Sequence, residues 1–182
     1  MKKLCVLFPG IGYHCDKPLL YYSGKLARAR GYDVIALKYS GFPDGAKGND
    51  EKMRLAASHA LSQSEQQLEG VKFEDYGRII FIGKSIGTAA CLEYRQLHNI
   101  SAGGILFTPL VFTFGHDTKG FTAFHGTADP WAATADIERL CSEHSVPLHI
   151  YPGTNHSLES NDPLSDLRSL CDIMEKAGKT IV

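Results

Sequence analysis

Residues 78–87, Arg78-Ile79-Ile80-Phe81-Ile82-Gly83-Lys84-Ser85-Ile86-Gly87, decide the fold. Residues 78–82 form a short apolar run rich in β-branched side chains, the pattern of a buried strand. The segment 86–98 has helical spacing. Gly83-Lys84-Ser85 ends like a phosphate-binding loop, but that motif needs a glycine five residues before Gly83, where Arg78 stands. The intervening residues also read as a strand, not as a loop whose amides could wrap a phosphate. What fits is G-x-S-x-G between a strand and a helix. A serine at so sharp a turn sits in a strained backbone conformation. The turn would present Ser85 at the carboxyl end of the strand, on a helix N-terminus whose dipole and free amides favour developing negative charge. Alone, the pentapeptide reads equally well as a serine N-cap with chance glycines.

Working outward, further apolar runs lie at 4–8, 33–37, 104–107, 120–124 and 147–151, and helical patterns at 17–30, 50–69, 134–144 and 163–176. Gly31 and Gly178 stand where helix C-caps are expected. The order β-α-β-α-β-α-β-β-α-β-α predicts a mostly parallel six-stranded sheet with helices on both faces. Residues 108–119 are too few for a long crossover helix, and residues 41–50 read as a surface loop. With no composition break, residues 1–182 read as one domain.

Composition narrows the function. Nineteen basic against twenty acidic residues give a net charge of −1, which leaves no basic excess for a nucleic-acid backbone. No apolar run approaches the ~20 residues of a membrane span. The run 4–8 is too short for a signal-peptide core. Five scattered cysteines without a CxxC pair fit reduced thiols, hence a cytoplasmic setting. Cys5, Cys91, Cys141 and Cys171 read as core filler. Gly10-Ile11-Gly12 after the first strand is a weak dinucleotide signal, because Cys15 occupies the place of the third glycine and no acid ends the second strand.

Two residues past later strands change the weight of Ser85. Asp129 follows the fifth run in His125-Gly126-Thr127-Ala128-Asp129-Pro130, and His156 follows the sixth in Asn155-His156-Ser157. A serine nucleophile needs an adjacent base oriented by a third group. The chain order Ser, Asp, His at carboxyl ends of strands resembles the α/β-hydrolases, in the style of small capless esterases and dienelactone hydrolases. The resemblance runs from about residue 4 to 176. It lacks the first two family strands and leaves no room for a cap domain. It implies catalytic Ser85, Asp129 and His156, and an oxyanion hole from the backbone amides of Ile11 and Ile86. It implies no cofactor.

The resulting expectation is a serine hydrolase acting on a small-molecule ester or thioester. The alternative is a catalytically silent scaffold of the same fold that binds a small ligand or a protein partner. Tyr13 and Phe42, with Tyr39 and Trp131, are candidates to line an acyl pocket, although loop packing accounts for each equally well. His14, Cys15, His116 and Asp117 lack metal-ligand spacing. His125 fits a structural hydrogen bond. Lys84 is either solvated or paired beside the site. The short 108–119 interval predicts an open site suited to short acyl groups, unless the 41–50 loop folds across it. The base predicts a pH limb in the ordinary histidine range, ~6–7.

Overall fold

The computed structural model describes residues 1–182. Six parallel strands form one sheet in the order β2-β1-β3-β4-β5-β6. They are β1 (Lys2–Phe8), β2 (Tyr32–Ala36), β3 (Tyr76–Lys84), β4 (Ala102–Phe107), β5 (Phe121–Gly126) and β6 (Leu148–Tyr151). The helices are α1 (Pro18–Ala29), α2 (Asp50–Gln67), α3 (Ile86–Leu97), α4 (Thr134–Glu143) and α5 (Pro163–Thr180).

The period-two alternation of the strands divides the core. Leu4, Val6, Phe8 and Phe81 face α3 and α4, packing with Cys91, Leu92, Ile137 and Cys141. Cys5, Leu7, Ile80 and Ile82 face α1 and α5, packing with Leu19, Leu20, Ile173 and Ala177. The strand order reverses between β1 and β3, so the loops that leave these two strands are neighbours at the carboxyl edge. Open α/β sheets place their sites at such a reversal. β4 passes to β5 through a 3₁₀ turn, Val111–Gly115, and no α-helix, as the short interval requires.

Several expectations are corrected. β3 extends beyond 78–82 at both ends, to Tyr76 and Lys84, because it pairs on both sides, with β1 and with β4. Gly31 follows the end of α1 with φ 79°, but Gly178 is no cap. α5 runs to Thr180, since its buried stripe continues through Ile173, Ala177 and Ile181. Gly178 instead admits the Arg30 guanidinium, which donates to its carbonyl at 2.5 Å. Cys171 is exposed, not core filler; Cys5, Cys91 and Cys141 are buried, and all five thiols are free. No helix is long and apolar enough to cross a membrane.

Candidate active site

The turn between β3 and α3 holds Ser85 at φ 56°, ψ −124°, a conformation that side-chain-bearing residues rarely adopt. Its side chain makes no capping hydrogen bond, which removes the N-cap reading. The flanking glycines are steric necessities. A Cβ on Gly83 would sit 2.7 Å from the Gly87 carbonyl oxygen, and one on Gly87 would sit 2.2 Å from that of Phe8. The Ser85 carbonyl accepts from the Thr88 amide at 2.9 Å and from the Thr88 hydroxyl at 2.5 Å, and the Ser85 amide donates to Phe107 at 3.0 Å. The turn is fixed from both sides.

The loops after β5 and β6 bring Asp129 and His156 together. His156 Nδ1 lies 2.6 Å from Asp129 Oδ2, and both side chains are almost wholly buried. Asp129 Oδ1 accepts from the Trp131 amide at 2.9 Å. Against a carboxylate, Nδ1 carries the proton and the Nε2 lone pair is left free. Nε2 is buried without a partner, and no hydrogen bond joins it to Ser85 Oγ. Serine–histidine bonds of this kind are often open before substrate arrives. His125 is fully buried, with Nε2 3.2 Å from the Thr134 hydroxyl and Nδ1 3.9 Å from Asp129 Oδ2, so it backs the acid.

The loop after β1 doubles back at residues 10–13. Gly10 and Tyr13 exchange backbone hydrogen bonds at 3.1 and 3.3 Å, which puts Ile11 and Gly12 at the tip. This loop touches the elbow: a Cβ on Gly10 would lie 3.1 Å from Ser85 Cβ. The amides of Ile11 and Ile86 make no backbone hydrogen bond.

Two aromatic expectations divide here. Phe42 packs, half-buried, with Ile11, Tyr39 and Trp131 against the cluster around Ile86. Tyr13 does not line a pocket. The tight turn sends it under the sheet edge, where it is buried and its hydroxyl accepts from the Leu19 amide at 3.1 Å. Its ring lies beneath the Lys84 amine, 4.9 Å away. Lys84 is neither solvated nor paired: it is 1 % exposed and makes no ion pair. The Trp131 ring lies against the His156 ring, tilted by 51° with centroids 4.2 Å apart. Residues 41–50 lie across this edge, with Gly48 against Trp131 and the Lys47 amine against Gly12. Ser85 is only 4 % exposed. The 41–50 segment therefore borders this edge at Trp131 and Gly12.

Electrostatics follow from burial. Desolvation and then the Lys84 charge lower His156 to about 4, against the pull of Asp129. Burial thus holds His156 below the ordinary histidine range. Burial alone would raise Asp129, but the hydrogen bond and charge of His156 and the Trp131 amide outweigh it and hold it low. Desolvation lowers Lys84 to about 7, opposed by Asp129 and Glu159. Burial pushes Cys15 up to about 12, and its thiol donates to the Leu37 carbonyl at 3.4 Å, so it is a poor nucleophile. His14 pairs with Asp16, His116 meets Gln96, and Asp117 pairs with Arg95. These residues do not converge, and no group of three potential ligands gathers anywhere.

No protein-family model matches the sequence, and no curated protein does. Solved structures match along nearly the whole chain. A dienelactone hydrolase from Anabaena variabilis superposes with TM-score 0.70 at 16% identity, covering 98% of this chain and 85% of that one. This is the α/β-hydrolase fold. An esterase from Pyrococcus furiosus matches with TM-score 0.62 at 12% identity, covering 99% and 82%. An α/β serine hydrolase without a lid from Xanthomonas campestris matches with TM-score 0.61 at 13% identity, covering 98% and 80%. Within the α/β-hydrolase fold, six strands without a cap domain agree with the sequence expectation.

Proposed function

We propose that the chain is a serine hydrolase that cleaves a small ester or thioester through an acyl-enzyme. The observation that carries this reading is the buried 2.6 Å His156–Asp129 contact, which leaves Nε2 unpartnered while a strained Ser85 ends β3 at the same carboxyl edge of the sheet. In the proposed reaction His156 Nε2 takes the Ser85 proton as Oγ bonds to the acyl carbon. The carbonyl electron pair moves onto oxygen, which the Ile11 and Ile86 amides stabilise. The imidazolium then protonates the leaving group as its bond to the acyl carbon breaks. Water, deprotonated by the same imidazole, resolves the acyl-enzyme. Asp129 holds the tautomer and offsets the imidazolium charge. Phe42, Ile11 and Trp131 would contact the acyl group. No step needs a cofactor.

A fluorophosphonate probe tests this reading. Wild type should become labelled at Ser85 and Ser85→Ala should not. A protein inert to the probe at every pH is instead the silent scaffold, and labelling that persists in Ser85→Ala refutes the assignment of the nucleophile.

A further inference from the structure

Lys84 is a buried amine in the elbow itself. Strand alternation explains its direction: Ile80 and Ile82 face the α1/α5 side of the sheet, and Lys84 shares their parity. Its amine lies over the Tyr13 ring at 4.9 Å and has no carboxylate in bonding reach. Other loops at the carboxyl edge supply the remaining charges. The β5–α4 loop brings Asp129, backed by His125, and the β6–α5 loop brings His156 and Glu159. Tyr13, from the β1–α1 loop, is held neutral by burial. A lysine so enclosed and unpaired gives up its proton readily.

We propose, resting on the hydrolase reading, that Lys84 is a positioning residue whose own proton governs the catalytic pair. Acylation requires His156 to become an imidazolium. With Lys84 neutral, the Asp129 carboxylate and the imidazolium cancel. With Lys84 protonated, the buried site carries an additional positive charge that opposes the transfer. Lys84 forms no bond and moves no substrate proton; it acts through the charge that His156 must acquire. Because Lys84 is enclosed over the Tyr13 ring without an ion-pair partner, the activity limb near neutrality is assigned to the Lys84 amine rather than to His156, which burial lowers.

The rate of fluorophosphonate labelling at Ser85, measured from pH 5 to pH 10, reads this without a known substrate. Oγ–P forms, P–F breaks, and the proton leaves through His156. Wild type should show a limb centred near pH 7, falling roughly tenfold per pH unit below it. In Lys84→Met that limb should vanish, leaving only a more acidic one from His156. Lys84→Arg, charged at every pH, should label at least about tenfold more slowly than wild type at pH 9. Should Arg fail to fold in this space, the Met variant and a nitrogen-15 NMR titration of the His156 ring in wild type carry the test: ring protonation should be complete only well below pH 6. The same limb in wild type and Lys84→Met, or a ring titrating at pH 7, overturns the proposal alone. Absence of Ser85 labelling at every pH overturns the hydrolase reading and the proposal with it.

Discussion

Gly126 and Thr154 meet backbone to backbone: a Cβ on Gly126 would lie 2.3 Å from the Thr154 carbonyl oxygen. Around this contact the acid and histidine loops are laced together. The Ala128 amide donates to Thr154 at 2.9 Å, and the Gly153 amide donates to the Thr127 hydroxyl at 2.8 Å. The separation of Asp129 and His156 therefore rests on this contact, with the Gly126 carbonyl also accepting from the Asp129 amide at 3.1 Å.

Gly126→Ala should push these loops apart. Overpacking of this kind costs about 1–3 kcal/mol. A misplacement near 1 Å should lower kcat/KM by about 10²-fold. Thermal melts and steady-state kinetics on a p-nitrophenyl ester check both. An alanine variant with wild-type turnover would show that the loops yield without moving the pair.

Ser85 separates catalysis from stability. Ser85→Ala should lose about 10⁴–10⁶ of turnover and keep the fold, since the hydroxyl makes no hydrogen bond. Ser85→Gly should be equally inactive yet about 1 kcal/mol more stable than Ser85→Ala, because glycine adopts φ 56° without strain. Denaturant unfolding of the two variants measures the difference, and equal midpoints would mean that the turn is unstrained.

Lys84 should leave its mark on stability as well. Its folded pKa, about 7, lies below the ordinary 10.5, so the unfolded chain binds more protons between these values. The lysine therefore destabilises fully at and below pH 7, and the penalty disappears as pH rises toward 10.5. Lys84→Met should be more stable than wild type by on the order of 3 kcal/mol at pH 7, narrowing steadily by pH 10. The buried thiols, raised by burial, act in the opposite direction but equally in both proteins. Urea titrations at several pH values give the difference; a gap independent of pH would place the charge in solvent.

Acyl length should be limited by the segment that borders the site at Trp131 and Gly12. The 41–50 segment is mostly glycine and charged residues, with Phe42 and Ala46 its inward apolar contributions. It offers little surface to a long chain, and each methylene left in water forgoes about 0.8 kcal/mol. Esters of roughly two to six acyl carbons should be preferred, with no rise in rate at a lipid interface. A p-nitrophenyl series from acetate to palmitate decides, and a kcat/KM still climbing past octanoate counts against this reading.

Much of this was legible from local pattern. The apolar β-branched run Ile79–Ile82 and the glycines around Ser85 specify a strand, a sharp turn and a helix, each dictated by short-range sterics. Asp129 and His156 both follow carboxyl ends of strands, and β5 pairs with β6, so their loops meet. The direction of Lys84 was available too, by counting parity from Ile80 and Ile82, but its polar head suggested solvent. Tyr13 was not available. Its burial depends on the turn between Gly10 and Tyr13 and on the Leu19 amide, neither of which has a periodic signature. The seating of residues 41–50 depends on long-range contacts with Trp131 and Gly12, and loop composition does not encode these.

Trp131 is the single tryptophan of the chain, and its ring lies 4.2 Å from that of His156. An excited indole is quenched by electron transfer to a nearby imidazolium but much less by neutral imidazole. The protein thus contains a built-in optical gauge of the charge on His156. Emission excited in the indole band should report, without any label and from a single residue, both the protonation of His156 and the arrival of a molecule between the two rings and the 41–50 segment.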